Sequence, residues 1–379
     1  MPGVLFLRSV KLIAMHVTRL ELRHLRRFQE LRLDPSPGLN LITGDNGAGK
    51  TSVLEALHLM AYGRSFRGRV RDGLIRAGDA GLEVFVEWQE KAGRTAVDQR
   101  TRKAGLRHTG QDWTGRLDGS SVAQLGDLCA ALAVVTFEPG SHALITGGGE
   151  SRRRYLDWGL FHVEHDFLPV WRRYSRALKQ RNALLKARAR DAQLDAWDRE
   201  LAEAGEPLSR FRERYLDLLQ LRFEPLLSEL APALGHSRLE YAPGWRREDM
   251  SLADALLLTR DRDLSAGYTS VGPHRADWRV ALGSLPGREA LSRGQSKLTA
   301  LAALLAQAEH HDEIQGEWPV VALDDLASEL DRHHQGRVLA RLQASGAQVF
   351  ITGTEAPPGL PIDFPVHRFH VEHGAISTL

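Results

Sequence analysis

The sequence predicts an α/β fold carrying a mostly helical insertion, and three observations predict it. A strand, a glycine-rich loop and a helix follow one another through LNLITGDNGAGKTSVLEAL, residues 39–57. A second, fully apolar strand at 320–323 ends in two carboxylates, Asp324 and Asp325. Between them, over residues 151–234, apolar side chains recur at three- and four-residue spacing, the period of amphipathic helices.

Taken in order, residues 1–14 are an apolar stretch broken by Arg8 and Lys11, with no small-residue cleavage site after it. We expect an extension ahead of a natural start at Met15 rather than a secretory signal. Strand-like alternation follows over 17–22, with further strands expected at 31–33 and over Leu82, Val84, Val86 and Trp88. GRSFRG, residues 63–68, comes directly after the helix of the glycine loop. Residues 93–127 are polar and glycine-rich, and 131–137 is a candidate buried strand. GGGESRRRYLDW then supplies a glycine break, Ser151 as a helix cap and a helix opening on three arginines. Inside the helical region, breaks are expected near Pro169, at 189–191, at 205–207 and at Pro225, giving three or four helices folded back as an antiparallel arm. No heptad pattern is sustained, which argues against a coiled-coil rod. After a short mixed segment at 252–258, YTSVGPHRADWRVAL restores α/β character; LSRGQSK opens a helix, and a last apolar strand is expected at 348–352.

The spacing G-x-x-x-x-G-K-T is the P-loop. Its glycines let successive backbone N–H groups turn inward around a phosphate, and the following helix presents its positive end. The cradle is expected over Gly44, Asp45, Asn46, Gly47, Ala48, Gly49, Lys50, Thr51 and Ser52, with ATP and Mg²⁺ as ligands. Lys50 would reach the terminal phosphates and Thr51 the metal; the competing reading is a glycine turn before an ordinary helix. A P-loop ATPase also needs a carboxylate at the tip of a neighbouring strand to hold Mg²⁺, the role expected of Asp324. Asp325 is placed to orient or deprotonate the attacking water, which makes Lys50 and Asp325 the candidate catalytic residues. Two adjacent aspartates also begin ordinary turns. Ser292, Arg293, Gly294 and Gln295 form a second candidate anion-binding helix end, or simply a helix cap. Since one chain already has its own cradle, a second makes sense if it closes over the nucleotide of a partner.

Composition sets the outer bounds. At 379 residues and 42% hydrophobic, the chain can bury a substantial core spread over two or three domains. No run of 18 apolar residues occurs, so no segment is expected to span a membrane. A single cysteine, Cys129, excludes an intramolecular disulfide and a cysteine-based metal site, and suits a reducing cytoplasm. Net charge is only +2, yet arginines cluster at 64–76, 152–154 and 172–190. Such clusters fit solvated helix faces and phosphate contacts equally well.

With GDNGAGKT, a helical insertion, LSRGQSK and VVALDDLASELD in that order, the chain resembles the ABC-type ATPases of the SMC class, whose heads dimerise around two ATP molecules. More narrowly it resembles the RecF family of recombination-mediator ATPases, whose pattern GDNGAGKTSVLEAL, GRSFRG, SRRRYLD and GPHRADW follow from Met15 to the C terminus. The resemblance implies an ABC-type P-loop ATPase head with a mostly helical inserted arm: an N-terminal head lobe at 15–150, an arm or lid at 151–265, and a C-terminal head lobe with signature and Walker B motifs at 266–379. It also implies an ATP-dependent homodimer with Ser292 to Gln295 acting in trans, slow DNA-stimulated hydrolysis, gapped or junction DNA as ligand, recombinase loading alongside RecR and RecO, and a cytoplasmic location. Arg67, Arg69, Arg71, Arg152, Arg153 and Arg154 are the candidate phosphate contacts to DNA.

Three positions depart from the pattern. Asp325 stands where ABC proteins generally carry glutamate, Thr352, Thr354 and Glu355 stand where a switch histidine is expected, and Ala276 precedes Asp277 where the family has two aspartates. The alternative reading is the nucleotide-binding subunit of a transporter, against which the helical arm, the missing histidine and the GPHR segment all argue. A small-molecule kinase would leave LSRGQ without a role.

Overall fold

The computed structural model describes residues 15–92, 98–188, 191–283, 291–360 and 364–379, with the backbone alone for Arg71 and Asp191. The extension expected at 1–14 lies outside the described residues. The chain divides into two compact units, Met1–Pro139 with His311–Leu379, and Gly140–His310.

The first unit opens with β1 (His16–Leu25), β2 (Phe28–Leu33), the P-loop strand β3 (Leu39–Thr43) and the P-loop helix α1 (Lys50–Tyr62). It continues through β4 (Leu82–Lys91), β5 (Gln99–His108), β6 (Trp113–Leu117), β7 (Ser120–Ser121), α2 (Leu125–Cys129) and β8 (Val134–Phe137). Leu82, Val84, Val86 and Trp88 of β4 are buried in strict alternation, as a strand with one solvated face requires. That strand belongs to an antiparallel sheet of order β2-β1-β4-β5-β6-β7.

In the second unit come α3 (Ala143–Thr146), α4 (Gly149–Val163), α5 (Phe167–Lys186), α6 (Asp191–Leu230), β9 (Ser237–Ala242), α7 (Leu252–Leu258), α8 (Arg260–Ala266) and β10 (Asp277–Leu282), then α9 (Arg293–Gln315), whose last residues from His311 count with the first unit. Arg173 pairs with Glu200 and Glu203, and Arg181 with Asp198, so α5 and α6 run antiparallel. Expectation and structure differ here at three points. Pro207 and Pro225 do not break the chain but lie inside the 40-residue α6. A proline in a helix interior costs roughly 3 kcal/mol, a cost spread over a helix that buries Leu201, Leu208, Phe223, Leu226 and Leu227. Gly205 is a close-packing position: a Cβ there would stand 2.4 Å from Leu252 Cδ2. Ser151 is not the cap of α4 either; Gly148 holds that position, and Ser151 Oγ donates to Gly148 O at 2.8 Å from inside the first turn. Segment 266–310, expected with the C-terminal lobe, falls in the second unit.

The chain re-enters the first unit as β11 (Val320–Leu323), α10 (Leu326–Glu329), α11 (Arg332–Ser345), β12 (Val349–Gly353), β13 (Val366–Glu372) and β14 (Ala375–Thr378). These strands complete the second sheet, ordered β14-β13-β3-β12-β11-β8. All of its pairs are parallel except the edge pair β13 with β14. Every residue of β8, β11 and β12 is buried, which is why they read as continuous apolar runs. The strand carrying the two aspartates is not the immediate neighbour of the P-loop strand: β12 lies between them.

Candidate functional site

The site forms where β3, β12 and β11 end on the same edge of the parallel sheet. Gly44, Gly47 and Gly49 adopt φ of 149°, 80° and 119°, and a Cβ on Gly44 would meet Val371 O at 2.3 Å, so only glycine can turn the chain there. Lys50 folds back over the loop it follows, its Nζ donating to Gly44 O at 2.7 Å and Asp45 O at 2.9 Å. Burial holds the ammonium below the ordinary lysine value, opposed by the charges of Asp325, Asp324 and Asp45. Among the described residues the cation is thus stationed at the loop without a carboxylate in contact.

Asp324 is the convergence point. Its Oδ1 accepts from Thr51 Oγ1 at 2.9 Å and from Thr352 Oγ1 at 2.6 Å, which ties the tips of α1, β11 and β12 together. Burial pushes the carboxyl above the usual range, against those two hydroxyl donors. A divalent cation would offset that penalty, and the donor set suits Mg²⁺, which binds through one or two protein oxygens plus phosphates and water. Among the described residues no group of three His, Cys, Asp or Glu side chains could hold a metal unaided. Thr352 was not foreseen as a site residue. It stands where the switch histidine is missing and also accepts the backbone N–H of Asp325 at 2.9 Å.

Asp325 sits in the left-handed region at φ 51°, a conformation that non-glycine residues hold at a cost, and this lifts its exposed carboxylate to the surface. Ser328 Oγ donates to its Oδ2 at 2.5 Å. A second residue missed by sequence reasoning is Glu55 on α1, fully buried. Its carboxylate takes Arg26 through Nε at 2.9 Å and Nη2 at 2.7 Å, accepts from Ser65 Oγ, and lies 3.8 Å from Arg67 Nη1. The only signal for it was a carboxylate on the apolar face of a helix.

This geometry sorts the arginines. Arg67 is half-exposed, held by Glu55, and its charge is felt at Asp324, so it belongs to the P-loop edge. Arg69 is exposed; the side chain of Arg71 lies outside the described residues. Arg152 is a correction to the DNA-contact set. It is 1% exposed, its Nε and Nη2 clamp Asp277 at 2.6 and 2.9 Å, and its Nη1 donates to Gly147 O at 2.8 Å. A guanidinium so enclosed cannot reach a phosphate. Arg153 is half-buried and donates to Ala276 O, while Arg154 is more open and pairs with Glu150. We expect Arg152→Ala to destabilise the protein by roughly 2–3 kcal/mol in denaturant unfolding, the cost of removing a buried guanidinium and its hydrogen bonds while the partly exposed Asp277 carboxylate can still reach water, and Arg154→Ala to cost well under about 1 kcal/mol.

Ser292 and Gln295 form a reciprocal capping box on α9: Gln295 N–H donates to Ser292 Oγ at 3.2 Å and Ser292 N–H to Gln295 Oε1 at 2.9 Å. Both readings of this segment therefore survive, because the box caps the helix and leaves Ser292, Arg293 and Gly294 exposed.

Comparison with known proteins identifies the family. Residues 16–359 match the RecF/RecN/SMC N terminal domain family. The DNA replication and repair protein RecF of Xanthomonas axonopodis pv. citri (strain 306) is 69% identical over 364 residues, covering 96% of this chain and 98% of that one. The chain belongs to the RecF family. RecF of Thioalkalivibrio sulfidiphilus is 41% identical, with 96% of this chain and 99% of that one covered. Among solved structures, the recombination mediator protein RecF-ATP in the RecFOR pathway superposes with a TM-score of 0.84 at 27% identity, covering 98% of this chain and 99% of that one. An SMC head bound to the C-winged helix domain of ScpA has a TM-score of 0.59 at 16% identity, over 96% of this chain and 97% of that one, a likeness of fold alone. The chain is thus a RecF-family DNA replication and repair protein with an SMC-like ATPase head. The transporter reading finds no support in these relatives.

Proposed function

We propose that the chain binds Mg-ATP, dimerises around it, recognises gapped or single-strand/double-strand junction DNA, and helps load recombinase there together with RecR and RecO in the cytoplasm. The observation that carries the ATP reading is the Thr51–Asp324–Thr352 cluster at the end of a P-loop whose lysine rests on two loop carbonyls. The solved relative named RecF-ATP supports the same ligand.

Gly44 to Gly49 and the start of α1 would cradle the phosphates with backbone N–H groups, and Lys50 would swing from its two carbonyls to the terminal phosphates. Thr51 and Asp324 would hold Mg²⁺, which when bound neutralises charge building on those phosphates. Thr352 keeps Asp324 oriented and fixes the backbone of Asp325. Asp325 would take the proton of the attacking water; a short, exposed carboxylate fits slow turnover. Ser292 to Gln295 would reach the nucleotide of a second copy, and the head lobes and arm would divide as the resemblance implies. Asp324, Asp325 and Lys50 then act in cis while the exposed helix end acts in trans. No described helix is long and apolar enough to cross a membrane.

Hydrolysis and sedimentation, each with and without gapped DNA, test the reading. Gapped DNA is expected to speed hydrolysis and strengthen ATP-dependent self-association. If it changes neither, the DNA-coupled ATPase is wrong. DNA contact through arginine and phosphate further requires a steep fall of log affinity against log salt.

A further inference from the structure

The segment YTSVGPHR, residues 268–275, has no part in the ATP site. Its last residues form a single 3₁₀ turn, Pro273–Arg275, whose two polar side chains meet opposite fates. His274 is held inward: its Nδ1 is 2.7 Å from Tyr174 Oη on α5 and its Nε2 is 2.9 Å from Thr269 O. Burial pushes the imidazole down to about 4, so at neutral pH it is uncharged, with Nε2–H donating to the carbonyl and Nδ1 accepting from the tyrosine. The histidine pins the segment to α5.

Arg275 is exposed, and its guanidinium carbon lies 5.2 Å from the centre of the Tyr268 ring. Tyr268 is 47% exposed, and among the described residues no other Phe, Tyr or Trp is exposed to that degree. Two further cations border the same segment. Arg262 of α8 donates through Nη2 to Ser270 Oγ, and the stem of Lys186 passes Gly267, where an added Cβ would stand 3.6 Å from Lys186 Cγ.

Among the described residues none of Lys186, Arg262 and Arg275 has a carboxylate partner, whereas Arg173, Arg181 and Arg212 of the same unit are each paired with one. The one acid between positions 262 and 275, Asp263, is buried and held by Arg181. The patch therefore keeps its positive charge. An open ring beside cations without counter-charges suits a single nucleic-acid strand, whose bases stack on the ring while its phosphates meet the cations. A duplex keeps its base faces against one another and offers none to Tyr268. An acidic protein would engage the cations and leave the ring unused.

We propose that Tyr268 is a stacking platform for a base of single-stranded DNA, with Lys186, Arg262 and Arg275 on the neighbouring phosphates. The inference rests on the DNA reading above, and its test separates the two. Full-length protein with Mg-ATP is titrated against a fluorescent oligothymidine strand, a blunt duplex of the same length and gapped DNA. Tyr268→Ala should weaken binding of the single strand about tenfold, the loss of one stacked base, and leave the blunt duplex within about twofold. Tyr268→Phe keeps the ring and should bind the single strand within about twofold of the unaltered protein. Lys186→Gln and Arg275→Gln should each flatten the single-strand slope of log affinity against log salt by about 0.7. An unchanged single-strand affinity in Tyr268→Ala overturns the proposal and leaves the patch to an acidic protein. Equal loss on the duplex, or a phenylalanine variant as weak as the alanine one, overturns it too, since neither is stacking. If the unaltered protein binds none of the three DNAs, the DNA reading itself falls and takes this one with it.

Discussion

Replacing Lys50 by methionine is expected to lower ATP hydrolysis by about 10²–10³-fold, the loss that follows removal of one charged group aimed at a phosphoryl centre. The unliganded variant should nonetheless melt no lower than the unaltered protein. The sign follows from burial: the folded state holds the Lys50 proton less tightly than the unfolded chain does. A depressed lysine contributes stability only above its unfolded value and costs stability at neutral pH, where it is charged in both states. Methionine removes that cost and water can reach the exposed Asp45 carbonyl, while loss of the donor to the carbonyl of the buried Gly44 offsets only part of the gain. Calorimetry and steady-state hydrolysis on the same preparation check both halves. A variant that hydrolyses ATP normally would remove Lys50 from the site; one that unfolds early would mean that the lysine holds the loop together instead.

How much of this could be read in the chain depended on whether the deciding groups are neighbours in sequence. Gly44 to Thr51 is contiguous, so its phosphate chemistry was legible at once, and Asp324 followed from a single apolar strand. Thr352 was not, because its role exists only once β12 lies between β3 and β11 and brings its hydroxyl within 2.6 Å of Asp324, 28 positions away in sequence. Glu55, Arg26 and Arg67 meet for the same kind of reason, across a strand turn, a helix and a loop. Arg152 was misassigned because a run of three arginines looks like one feature, whereas the helical period turns consecutive residues about 100° apart. One of the three faces the interior and Asp277, and another faces out. Pro207 and Pro225 misled in the opposite way, since a local penalty was read without the packing that outweighs it. Segment 266–310 groups with the helical unit because its strand-like and helix-like sequence finds partners, such as Arg152 for Asp277 and Tyr155 for Gln307, far upstream.

Ser292→Arg should leave ATP affinity within about twofold while abolishing ATP-dependent dimerisation, seen in sedimentation as a monomer where the unaltered protein sediments as a dimer. Loss of one donor to a phosphate group shut away from water corresponds to about 10²–10³-fold in the hydrolysis that depends on the assembled pair. The substitution tests position, because the exposed Ser292 carries only a capping box on its own chain. Losing that box costs typically about 1 kcal/mol, too little to unwind a 23-residue helix whose following turns are buried. Ser292→Ala separates the two effects: it removes the same cap without adding bulk, so fraying alone would make both variants behave alike. If alanine is mild and arginine severe, the obstruction lies where another molecule must approach. If arginine instead destroys ATP binding by the monomer, the segment serves the nucleotide of its own chain, and a partner is not needed to complete the site. The capping box makes the first outcome the expected one, since a helix end whose side chains already satisfy each other's backbone is rigid before any ligand arrives, and a preformed rigid end is what a second subunit's phosphates can meet at little entropic cost.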